Sequence, residues 1–78
     1  MALKISVLPA GDGWAVRSSS LENDMLFVAG AKAEAAARDL ARRYAARGES
    51  AEVAIFLRDG ALAGRFVHKA SPGFLDAA

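Results

Sequence analysis

Cysteine is absent from this 78-residue chain. Neither a disulfide nor a thiolate metal site can hold the fold, so stability has to come from packing, including packing against another copy. The absence also suits a reducing cytoplasm. Histidine occurs once, at His68, and with no thiol the nucleophile and base pairings of covalent catalysis find no support in the sequence. No stretch approaches the run of about 18 apolar residues that a membrane-spanning helix needs. MALKISVLPAG opens with one Lys and then alternates, without the continuous apolar core of a signal peptide. The expectation is a cytoplasmic protein without enzymatic activity, cofactor or metal. Net charge is scarce as well: ten Lys and Arg against nine Asp and Glu leave +1.

The chain holds 54% hydrophobic and 24% charged residues, the balance of an ordered globular domain. Its length allows one domain with one modest core, expected over residues 1–70, and the Pro-Gly-punctuated tail 71–78 is expected to be flexible unless Phe74 and Leu75 dock. Leu3, Ile5 and Val7 alternate with Lys4 and Ser6 as in a half-buried strand. PAGDG then predicts a turn, somewhat longer than the tightest hairpin type, leading into a second strand from Trp14. After a polar stretch, the apolar run Met25 to Ala29 predicts a short third strand.

AKAEAAARDLARRYAARG, Ala31 to Gly48, reads as the one helix. At about 100° per residue, Ala33, Ala36, Ala37, Leu40 and Tyr44 share a stripe with Ala41 at its edge, so the helix can lie close to what it covers. Gly30 is expected as its N-cap, and Gly48 suits the left-handed position after its end. Two further alternating runs flank Asp59-Gly60, a hairpin signal. The order β-β-(β)-α-β-β with a single helix implies an α+β two-layer sandwich, one face of a mainly antiparallel sheet being covered.

One helix leaves the opposite face of such a sheet bare. Parity sends Leu3, Ile5, Val7, Trp14, Val16, Val53, Ile55, Leu57, Leu62 and Phe66 inward. The outward set comprises Lys4, Ser6, Arg17, Phe56, Arg65 and Val67, with Met25 and Phe27 together on one side of the third strand. An exposed aromatic among apolar neighbours marks an interface. The alternatives for Phe56 are cover by the tail or a one-residue register slip, which would exchange the two faces. Met25, Phe27, Phe56 and Val67 are therefore the candidate interface of a homodimer or of a complex with another protein. Trp14 is either a stacking platform or, as its parity with Val16 favours, a core anchor.

From Lys32 to Arg47 the helix carries five basic and two acidic residues. Arg38, Arg42, Arg43 and Arg47 are candidate nucleic-acid contacts, the alternative function being an accessory nucleic-acid-binding module. Affinity from phosphate contacts scales with counterions released, so three or four Arg spread around the helix give weak binding unless the protein dimerises. Asp12, Asp24 and Asp59 fall in turns, where short carboxylates bond locally to the backbone. GDG at Gly11 to Gly13 lacks the spacing and following helix of a phosphate loop.

GDGWAVR (Gly11 to Arg17), AKAEAAARDLARR (Ala31 to Arg43) and EVAIFLRDGAL (Glu52 to Leu62) follow one another in an order and spacing that resembles a small bacterial family known as domain of unknown function 2188. That resemblance covers nearly all of the chain before the tail and implies a β-β-α-β-β domain with no assigned activity. A glycine-led aromatic strand and a helix entered through x-E-A are also similar to the HicB-type antitoxin domain, which implies pairing with a small toxin and dimerisation.

Overall fold

The computed structural model describes residues 3–70. Its elements follow the expected order: β1 (Leu3–Ala10), β2 (Gly13–Ser18), β3 (Met25–Phe27), α1 (Gly30–Ala46), β4 (Ala51–Phe56) and β5 (Leu62–His68). The strands form one mixed sheet in the order β3-β2-β1-β4-β5, with α1 on one face. All neighbours are antiparallel except β1 and β4, which run parallel at the centre. Two hairpins thus lie side by side, and α1 carries the chain over the sheet from the β3 edge to the open side of β1. The tail from residue 71 lies outside the described residues.

The first hairpin is tighter than its sequence suggests. Ala10 pairs with Gly13, leaving Gly11 and Asp12 as a two-residue loop in which only Gly11 has positive φ, at 56°, the pattern of a turn with Gly at its first central position. Pro9 lies inside β1, opposite Trp14. That is tolerated because β4 pairs with β1 only as far as Val7, so the missing N–H falls where no neighbour asks for it. In the second hairpin Leu57 donates to the Ala61 carbonyl at 2.7 Å and accepts from Gly60 at 2.9 Å. Gly60 has φ 92° and the Asp59 carboxylate accepts from the Ala61 N–H. This is a three-residue loop closed by a glycine bulge.

α1 starts one residue earlier than the sequence suggests. Ala29, not Gly30, is the N-cap; it offers no side-chain bond, and the first turn has no acidic residue. The end is well specified. Gly48 (φ 93°) donates to the Ala45 carbonyl and Glu49 to that of Tyr44, the paired 5→2 and 6→1 bonds of a Schellman motif. Ala33, Ala37 and Ala41 are fully buried and Ala45 nearly so. This four-residue repeat is the contact line, so the expected stripe is right in kind but extends further, with Ala36, Leu40 and Tyr44 flanking it half-buried.

The core lies between that line and Ile5, Val7, Val16, Ala51, Val53 and Ile55. Two residues expected inside are outside, and a third is only partly covered. Leu57 lies beyond the end of β4 and is 50% exposed. A bulge between Ile55 and Phe56 shifts the pairing so that Leu62 stands beside Phe56, which faces away from α1. Phe66 keeps the helix face, opposite Val53, but sits on the outermost strand and stays 40% exposed.

Candidate interaction surface

The face turned away from α1 is built by strand pairing. Leu26 pairs with Ala15, Ala15 with Leu8, and Phe56 with Leu62. The parallel pairing of Val7 with Ile55 makes Leu8 and Phe56 the next neighbours in register, and both line one shallow hollow with Ser6, Pro9, Arg17 and Gly60. An apolar row, Leu26, Ala15, Leu8, Phe56 and Leu62, therefore crosses all five strands. Leu26 is 73% exposed, whereas Ala15 is buried.

Beside this row runs a polar one: Arg17, Ser6, Ala54 and Arg65. A third follows with Lys4, Glu52 and Val67. The charges of the face are largely satisfied within the chain. Arg17 donates from Nε and Nη2 to both oxygens of Asp24, at 3.1 and 2.9 Å. These hydrogen bonds, more than the charge alone, hold the Asp24 carboxyl below the usual carboxylate range and raise the Arg17 guanidinium. Arg65 Nε lies 2.9 Å from Glu52 Oε2.

Of the four candidate interface residues, Phe56 and Val67 are on this face, half-buried and 57% exposed respectively. Met25 and Phe27 are not. They pair with Val16 and Trp14, share the helix face with them, and close a hollow with Leu21, Ala36 and Leu40. Apolar residues on both sides of a three-residue strand carry no parity signal, and only the register with β2 decides between Leu26 and its neighbours. Leu8, Leu26 and Leu62 are the surface residues that sequence reasoning missed. Leu8 was legible, since it alternates with Val7 and stands outward of it.

The four arginines named as nucleic-acid contacts do not converge. Arg38 lies 3.8 Å from Glu34 and 4.4 Å above the Phe66 ring centroid. Arg42 and Arg43 both bind Asp39, at 2.9 and 2.8 Å, and Arg47 stacks over Tyr44 at 5.5 Å. Glu34 and Asp39 partly offset Arg38, Arg42 and Arg43, whereas Arg47 keeps its charge over the neutral Tyr44 ring.

Trp14 occupies a corner between the two hairpins. Its ring is half-buried on the helix face, so close to Gly30 that a Cβ there would lie 3.1 Å from Cε2 and Nε1. Arg58 covers the ring at 4.7 Å and donates to the Gly11 and Asp12 carbonyls at 2.9 and 2.6 Å. One side chain thus ties the β4–β5 turn to the β1–β2 turn, and the ring is engaged from both sides rather than offered to a base.

His68 ends β5, half-buried opposite Ala51. No helix among the described residues is long and apolar enough to cross a membrane. Compared with protein-family models, with curated proteins and with solved structures, the chain matches none.

Proposed function

We propose that this domain is a non-catalytic cytoplasmic protein-interaction module that self-associates by stacking the uncovered face of its sheet on the same face of a second copy. The observation that carries this reading is the apolar row Leu26, Ala15, Leu8, Phe56 and Leu62 across all five strands. Leu26 and Leu62 stand exposed at its two ends, with Leu8 and Phe56 half-buried between them, and apolar side chains grouped at a surface mark an interaction site. A second copy suits it better than a charged partner, because Arg17 and Arg65 are already paired with Asp24 and Glu52 and need no opposite charge across the contact. Five strands spaced by about 4.8 Å, with about 20 Å of strand length, present roughly 500 Å² each, or about 1,000 Å² for two copies, the lower bound of a specific interface.

Light scattering tests the reading. At tens of micromolar the chain should show twice its own mass, and Phe56→Lys, which sets a charge in the middle of the row, should return it to the monomer. A monomer that persists at millimolar concentration, or a dimer indifferent to Phe56→Lys, would overturn it.

A further inference from the structure

The two edges of the sheet are unlike. β3 is three residues long, short enough to be a poor template, whereas β5 presents seven residues along its outer side. Exposed edges are commonly blunted by Pro, by Lys, by brevity or by a bulge; LAGRFVH has neither Pro nor Lys, and its bulge lies at its start, leaving Gly64 to His68 in regular pairing. Its apolar side chains are exposed on both faces: Phe66 (40%) on the helix side, Leu62 (48%) and Val67 (57%) on the other. Gly64, opposite Ile55 on the helix side, borders open space, with nothing within 4 Å of where a Cβ would stand.

We infer that β5 is a pairing edge for a second copy of this chain, the two strands running antiparallel about a two-fold axis through Arg65, so that two sheets join into one. That register sets Gly64 of each copy opposite Phe66 of the other, and a cross-strand aromatic laid over an edge glycine is a stabilising pair. The bulge at Ala63 breaks the alternation of β5 beyond Gly64, so the regular contact centres on Gly64, Arg65 and Phe66. An axis one residue on, through Phe66, would leave the space at Gly64 facing His68 instead. Arg65 meets its own symmetry mate at the axis, which would be unfavourable for free charges. Each Arg65 is held diagonally by its own Glu52 at 2.9 Å, from the neighbouring row, so each of the two like charges at the axis is offset within its own copy. The match between small Gly64 and large Phe66 is two-fold by construction, and that points to a second copy of this strand over an unrelated one. This edge shares Leu62 with the stacking face but joins through the outer side of β5, and it does not rest on the preceding reading.

Gly64→Lys separates the two. The backbone at Gly64 is not in the left-handed region and the site is open, so the variant should fold, checked by circular dichroism. Its side chain would occupy the place of the other copy's Phe66, raising the dissociation constant measured by sedimentation equilibrium at least tenfold. Phe66→Ser should do the same, and Phe56→Lys should leave the edge contact intact. Amides of β5 should exchange more slowly with deuterium as concentration rises. If Gly64→Lys and Phe66→Ser associate like the parent chain, edge pairing is refuted, whatever Phe56→Lys does. Dissociation by Phe56→Lys alone supports stacking and refutes the edge. A tetramer that either class of variant reduces to a dimer supports both contacts, and a millimolar monomer refutes both.

Discussion

Replacing Ala37 with Leu tests whether the alanine line sets the distance between helix and sheet. Ala37 is fully buried midway along α1, between Ala33 and Ala41, which are equally enclosed. Three added carbons there have no space to enter unless the helix lifts off Val53 and its neighbours or turns about its axis. Overpacking a well-filled core costs about 1–3 kcal/mol. Some 70 ordered residues at about 0.05–0.15 kcal/mol each are stable by roughly 4–10 kcal/mol in total, so the loss is a large fraction. With a urea slope of about 1–1.5 kcal/mol/M for so small a domain, the midpoint should fall by about 0.7–3 M. Ala35→Leu is the control: it lies on the exposed side of the same helix, Leu is nearly as good a helix former as Ala, and the change should stay within about 0.5 kcal/mol. Equal midpoints for the two variants, followed by far-ultraviolet circular dichroism, would refute close approach through alanine.

Gly48→Ala forces an L side chain into a backbone with φ 93°. It should cost about 1–2 kcal/mol, a fall of about 4–15 °C in melting temperature; an unchanged melting point would contradict the Schellman ending. Arg58→Ala removes the cover from Trp14 and the two bonds to Gly11 and Asp12. Its expected cost is about 1 kcal/mol with a changed tryptophan emission, and Arg58→Lys should not restore either, since an ammonium cannot span both carbonyls while lying flat on the ring. Asp24 has a lowered pKa in the fold, first through the Arg17 hydrogen bonds. Its contribution to stability is therefore present above the unfolded carboxylate value and is lost as pH falls through the folded one. A carboxyl carbon titration by NMR should show Asp24 below its ordinary midpoint and Arg17→Gln should raise it; coincident curves in the two proteins would remove the pairing.

Much of the fold follows from local chemistry that the sequence displays by itself. Period-two alternation marks Leu3 to Val7 and Val53 to Ile55 as strands, the alanine spacing marks one face of the helix, and Gly48 marks its end. A single helix then requires a two-layer α+β fold with an uncovered sheet face. What local chemistry could not settle is the set of neighbours. Met25, Leu26 and Phe27 are all apolar, and their assignment to faces depends on pairing with Val16, Ala15 and Trp14 across the strand gap. Leu62 moves outward because of a bulge, a feature of two strands together rather than of either one. The parallel contact of β1 with β4 joins residues nearly fifty positions apart, and it aligns Leu8 with Phe56 to complete the apolar row. Parity along a strand is written in consecutive residues, so the sequence alone determined that the helix covers one face of the sheet and leaves the other. Which side chains meet on it is a property of register between distant segments, and only the tertiary structure decided that.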